Sequence, residues 1–182
     1  MAKSRYDRVI DELLVIRCQS GHEGSFDLLI RRWQHRLWQY ARRLAGSDDD
    51  AWDVTQEAWL AMLRQLHKLE DPAWFAAWAF RIVQNKCSDH VRNAQRRRRL
   101  KQKVSERLTV ADTVPREPTG RPVADALRRL PRDQQELLIL KYGQELNIVE
   151  IAVVLGVPAG TIKSRLHNAR EQLRRILEGD DP

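Results

Sequence analysis

The chain is poor in the residues that staple or punctuate small proteins. Cysteine occurs twice, at Cys18 and Cys87. The two lie far apart without a CxxC spacing, which excludes a disulfide framework and a zinc knuckle and leaves two buried thiols as the expected state. Glycine is scarce, with 8 residues, and no Gly-rich phosphate loop is present. His22, His35, His67, His90 and His167 are scattered, and no nucleophile, base and orienter accompany them. Neither an enzyme nor a bound metal or other cofactor is expected. No stretch approaches the roughly 20 apolar residues of a membrane span. Met1 to Asp11 alternates charged and apolar residues where a secretory signal has an unbroken apolar run. The expected location is cytoplasmic, with no membrane and no small-molecule substrate as partner.

What is present is positive charge and helical periodicity. Lys and Arg outnumber Asp and Glu by 32 to 25, a net charge of +7 that favours a polyanionic partner. Apolar residues recur at spacings of three and four, so the fold class is all-α. A length of 182 residues fits two small helical domains joined by a flexible linker.

Phe26, Ile30, Trp33, Leu37, Ala41 and Leu44 share one face of a first predicted helix. After Gly46, Ser47 or Asp48 can cap a second, whose early carboxylates Asp49, Asp50 and Asp53 favour the positive end of the helix dipole. Its apolar stripe reads Trp52, Thr55, Trp59, Met62 and Leu66. A third helix follows Asp71-Pro72, with a seam of Ala76, Phe80, Val83, Cys87, Val91 and Ala94. Its opposite face carries Trp74, Trp78, Arg81, Asn85, Asp89, Arg92 and Arg96, and runs into a basic patch of Arg97, Arg98, Arg99, Lys101 and Lys103. Trp74 and Trp78 suit stacking on an unpaired base and suit core packing equally. From Lys101 to Pro122 the periodicity fades amid Pro115, Pro118 and Gly120, which marks the linker. The boundaries expected are therefore 1–100, 101–122 and 123–182.

The second module carries the more specific signal. Leu130-Pro131 opens a helix ending near Tyr142-Gly143. Asn147 with Glu150 reads as a capping box, and Ile148, Ile151, Ala152 and Leu155 as the inner face of a short helix. Gly156 makes a turn, Pro158 fits the first position of the last helix, and Ile162, Leu166, Ala169, Leu173 and Ile176 continue the buried seam. This is a helix-turn-helix pattern. Lys163, Ser164, His167 and Asn168 fall on its outer face, where Lys and Asn match guanine and adenine edges. Arg165 and Arg170 flank them, better placed for phosphate.

Asp53, Gln56, Glu57 and Leu60 share one face of the second helix, an acidic and apolar strip that suits a protein partner bearing basic residues. Two other readings compete. One is a helix-turn-helix regulator with a sensing or dimerising N-terminal module; the other is a metal-dependent nuclease built on Asp48 to Glu57, although no histidine or further acid joins that cluster at ligand spacing.

Five segments in order resemble the extracytoplasmic-function (ECF) sigma factors of the sigma-70 family. They are Ser25 to Leu29, Asp50 to Glu57, Trp78 to Asn85, Leu130-Pro131, and Gly160 to Leu166. The resemblance spans about Leu13 to Leu177 apart from the linker. It implies a region 2 helical bundle and a region 4 helix-turn-helix that bind core RNA polymerase and direct promoter recognition and transcription initiation. On that resemblance, Asp53, Gln56, Glu57 and Leu60 dock on the β′ clamp helices of the polymerase. His67, Lys68 and Leu69 in the loop before the third helix, with Trp78, Arg81, Asn85, Arg92 and Arg96, engage the −10 element and capture an unstacked base. Thr161, Lys163, Ser164, Arg165, His167, Asn168 and Arg170 read the −35 element, and the second module also touches the β flap. Promoter DNA is thus an expected partner, and an anti-sigma factor a candidate one. Ala159 stands where the family often has Glu, Gln135 where Arg is usual and Asn168 where Arg is frequent. The loop from His67 to Pro72 lacks the glycine of many members.

Overall fold

A computed structural model gives the fold and describes residues 5–104 and 122–179. Among the described residues all regular structure is helical. The chain divides into two compact units, one built on residues up to Leu100 and one on most of those that follow. The first holds α1 (Arg5–Gln19), α2 (Ser25–Ala45), α3 (Asp48–Gln65) and α4 (Phe75–Val104), with 3₁₀ turns Leu66–Lys68 and Pro72–Trp74 between α3 and α4. After the connector come α5 (Pro122–Arg129), α6 (Arg132–Leu138), a π-helical turn Ile139–Gly143, α7 (Ile148–Leu155) and α8 (Ala159–Glu178).

In the first unit, α2 is the central helix, packed on both α1 and α3. Its fully buried apolar residues are Leu29, Trp33, Leu37, Tyr40 and Ala41. The expected Phe26, Ile30 and Leu44 are only half-buried. Contact on two sides widens the buried arc and recentres it, which a one-sided stripe does not anticipate. Trp33 meets Phe75 edge-on with centroids 5.2 Å apart, and Tyr40 meets Phe80 likewise at 5.2 Å. Such pairs contribute about 0.5–1.5 kcal/mol each beyond the area they bury. Tyr40 Oη donates to Gln84 Oε1 at 2.9 Å, so the α2–α4 seam ends in a satisfied polar contact.

Gly46 closes α2 at a φ of 93°, a left-handed conformation that favours glycine. Ser47 then caps α3, its Oγ accepting the Asp50 N–H at 3.1 Å, while Arg42 pairs with Asp48. Helix α3 buries Ala51, Val54, Thr55, Ala58, Trp59 and Met62. Trp52, expected in that stripe, is 41% exposed and lies 5.5 Å from Trp38 on the surface. Small Ala51, the neighbouring position, is fully buried instead. In α4, Phe80, Val83 and Cys87 are buried as expected, whereas Val91 is 37% exposed.

Helix α1 was not anticipated as an element. Arg32 on α2 ties it down, with Nε 3.0 Å from Asp11 Oδ1 and a terminal nitrogen 3.1 Å from Asp7 Oδ1. At the other end of the unit α4 continues to Val104, into the stretch expected as linker. Arg, Lys, Gln and Leu are strong helix formers, and no breaker interrupts them there. Pro122, also assigned to the linker, opens α5, where its missing N–H costs nothing. The remainder of the expected linker lies outside the described residues.

In the second unit, Gln135 Nε2 donates to Leu130 O at 2.7 Å and to Arg128 O at 3.2 Å, closing α5 against α6. Pro131 and Pro158 are N-caps with extended ψ, one position earlier than expected. The Asn147 capping box is realised: its N–H donates to Glu150 Oε2 at 2.6 Å, and its Oδ1 accepts from the N–H groups of Val149 and Glu150 at 2.9 Å each. Gly156 makes the following turn at a φ of 68°. Helix α8 buries Ile162, Leu166, Ala169 and Ile176, with Leu173 half-buried.

Candidate functional site

Three surfaces carry the residues singled out from the sequence. On α3, Asp53, Gln56, Glu57 and Leu60 are all exposed, on the side away from Val54, Ala58 and Met62. Successive positions step 100° around a helix, so spacings of three, four and seven return to one face. Two features of this strip were missed. Leu63, three residues beyond Leu60, is 56% exposed and prolongs the apolar end; the same spacing rule would have found it. Lys86 on α4 places Nζ 3.2 Å from Glu57 Oε2, a contact between helices that no local pattern announces.

The second surface begins with the turn after α3. His67 and Lys68 are exposed, whereas Leu69 is 8% exposed. The Leu69 side chain is buried, as is that of Leu66, so at this position the turn presents backbone and not side chain to the outside. Asp71 Oδ1 accepts the Ala73 N–H at 2.9 Å and starts the second 3₁₀ turn. Along α4, Asn85, Arg92 and Arg96 are exposed, and Trp78 and Arg81 are half-buried. Trp78 lies 6.1 Å from Phe75, combining core contact with a partly open face, while Trp74 is 36% exposed. Arg92 is tempered by Asp89 at 3.0 Å, and its Nε donates to Ser88 O at 3.3 Å.

The third surface is the outer side of α8. Lys163, Ser164, Arg165, His167, Asn168 and Arg170 are exposed around the buried Ile162, Leu166 and Ala169, with Thr161 half-buried at the start of the helix. Ser164 Oγ donates to Thr161 O at 3.1 Å, and Arg170 Nε to Leu166 O at 3.2 Å. The serine is thereby partly engaged by its own helix; Lys163 lies in the first turns of α8 and Asn168 near its middle, both exposed. Among the described residues no group of three or more His, Cys, Asp or Glu side chains is placed to hold a metal ion. No helix of the described residues is long and apolar enough to cross a membrane.

Comparison with known proteins agrees with this arrangement. Residues 29–97 match Sigma-70 region 2, and residues 121–173 match Sigma-70, region 4. The ECF RNA polymerase sigma factor SigM of Mycobacterium tuberculosis is 34% identical over 95% of this chain and 87% of its own length. SigW of Bacillus subtilis is 28% identical, covering 87% of this chain and 92% of its own. Among solved structures, CnrH in complex with the cytosolic domain of CnrY aligns with a TM-score of 0.65 at 28% identity, over 94% of this chain and 99% of that one. RpoE in complex with the anti-sigma factor NepR, from Bartonella quintana, aligns at 0.66 and 25% identity, over 86% and 98%.

The chain belongs to the ECF sigma factors of the sigma-70 family. It is an RNA polymerase sigma factor, a non-catalytic subunit acting in transcription initiation, and the regulator and nuclease readings fall away.

Proposed function

We propose that the two units divide promoter recognition between them. The helices up to Val104 form the domain that docks on core polymerase and engages the −10 element, and those from Pro122 onward form the domain that reads the −35 element. The observation carrying this reading is the exposed strip on α3. Asp53 and Glu57 offer charge to a basic surface, Gln56 offers amide hydrogen bonds, and Leu60 offers apolar area, all on one side of a rigid helix. A pair of coiled helices such as the β′ clamp supplies the complementary groups.

His67 and Lys68 with Trp78, Arg81, Asn85, Arg92 and Arg96 engage the −10 element, where exposed cations hold the backbone and a partly open indole stacks a base. Lys163, Ser164, His167 and Asn168 read −35 base edges, with Thr161, Arg165 and Arg170 on the backbone; the same domain touches the β flap. Two modest DNA interfaces joined by one chain act together through effective concentration. The protein works in the cytoplasm, where polymerase and promoter are. An anti-sigma factor is a further partner, in keeping with the complexes in which CnrH and RpoE were solved.

Co-purification with core polymerase tests the docking assignment. Asp53→Ala combined with Glu57→Ala should lower retention roughly tenfold or more, as expected when interfacial charge pairs are lost. Retention equal to wild type would overturn it.

A further inference from the structure

Helix α1 reaches the proposed promoter-reading turn. Helix α1 ends at Gln19, where Gly21 adopts a φ of 75° and the His22 N–H returns to Arg17 O at 3.0 Å. This closure fixes the last residue of the helix. Gln19 Nε2 donates to Leu66 O at 2.9 Å and to Leu69 O at 2.7 Å. A primary amide has two N–H groups, and here each has its own carbonyl. The two carbonyls bracket His67 and Lys68. Leu66 O also accepts the Leu69 N–H at 3.1 Å, so the carboxamide reinforces a 3₁₀ turn that the backbone already closes once.

From below, the buried side chains of Leu66 and Leu69 hold the turn. On the flank, Gln19 and His67 share the wall of an open pocket of about 320 Å³, so packing alone does not fix that side. We propose that Gln19 is a positioning residue for promoter opening: its carboxamide clamps both ends of the turn, so that His67 and Lys68 meet single-stranded promoter DNA in one conformation. The inference rests on the −10 role given above to this turn.

The test uses the full-length chain with core polymerase, on a promoter selected from a random library by the wild-type protein. Gln19→Met keeps the length of the side chain and removes both donors; Gln19→Lys restores donors. Expected for Gln19→Met is a roughly tenfold loss of binding to a fork substrate with a single-stranded −10 segment, the scale of two lost hydrogen bonds. Binding to core and to −35 duplex should stay unchanged, with recovery in Gln19→Lys. Amide hydrogen exchange at Leu69 and Glu70 should quicken in Gln19→Met alone. Wild-type fork binding by Gln19→Met would overturn the proposal, as would equal losses on fork, duplex and core in both variants. If the wild-type holoenzyme itself shows no dependence on the −10 segment, the assignment of the turn fails instead.

Discussion

Lys86 Nζ stands 3.2 Å from Glu57 Oε2, so one of the two carboxylates proposed to face the polymerase already has a cation beside it. The pair is partly exposed, with side-chain accessibilities of 33% and 63%. Exposed pairs contribute about 0.2–1 kcal/mol, too little to hold α3 and α4 together. Lys86→Ala should therefore leave the melting temperature nearly unchanged. By freeing Glu57 for basic groups on the polymerase, it should tighten core binding roughly two- to threefold at low salt, an advantage that added salt erases. Titration of labelled protein with core polymerase at two ionic strengths measures this, and weaker binding would show that Lys86 contacts the polymerase directly.

Trp33 is 1% exposed and meets Phe75 and Phe80 edge-on, with the Arg36 guanidinium 4.3 Å from its ring centroid. Trp33→Ala should remove about 3–5 kcal/mol, enough to unfold a small domain whose stability lies at the low end of the usual range of about 5–15 kcal/mol. Helical circular dichroism should fall partially, because the second unit has its own core, and core-polymerase binding should vanish while −35 duplex binding persists.

The chain states its caps openly. Ser47 before the acidic first turn of α3, the Asn147–Glu150 pair and Gly156 are short-range patterns, and each appears in the fold as the sequence suggests. The outer residues of α3 and α8 were equally legible, because a helix that buries one face must expose the other. What stayed hidden depends on distant partners. Helix α1 buries Leu14 and Val15, while Tyr6, Val9, Ile10, Leu13 and Ile16, at spacings of three and four, line an exposed face, so the apolar stripe legible in the sequence is not the face that packs. Trp52 is as apolar as Trp59 and seven residues from it on nearly the same side, yet Trp59 is 8% exposed against Phe26 and Trp52 is 41% exposed. Leu69 next to Lys68 is turned inward by a turn held from α1, 50 residues earlier in the chain.

Burial pushes the Cys18 thiol above its usual range. Less thiolate is then present near pH 8 than for a free cysteine, and thiolate is the reactive form. Alkylation of the native protein by iodoacetamide should be slower than that of the denatured chain and should climb through a pH higher than that of free cysteine. Cys87, 3% exposed, should react only on unfolding. Mass spectrometry of labelled peptides separates the two sites.

Asn147 Oδ1 accepts two backbone N–H groups, so Asn147→Ala removes two hydrogen bonds at the start of α7 and keeps the backbone N–H that donates to Glu150. Cap loss costs about 1 kcal/mol, or roughly 4 to 8 °C for a domain of this size. The shift should appear in the transition of the second unit, with −35 binding weakened and binding to core through α3 intact. Loss of core binding of the same size would contradict independent stability of the two units.

On α8, Lys163 and Arg170 are both exposed cations seven residues apart, yet the structure treats them differently. Arg170 spends its Nε on Leu166 O at 3.2 Å, which lays the guanidinium along the helix, whereas Lys163 sits near the N-terminal end, where recognition helices approach base edges. Lys163→Ala should relax preference at one or two −35 positions, by about 1–3 kcal/mol of discrimination. Arg170→Ala should weaken binding about equally across sequences and reduce the salt dependence by roughly one counterion. Binding both variants to a randomised −35 library at several salt concentrations distinguishes the two roles. If their sequence profiles coincide, the helix does not enter the groove by its N-terminal end, and the −35 assignments of Lys163 and Asn168 must move to residues further along α8.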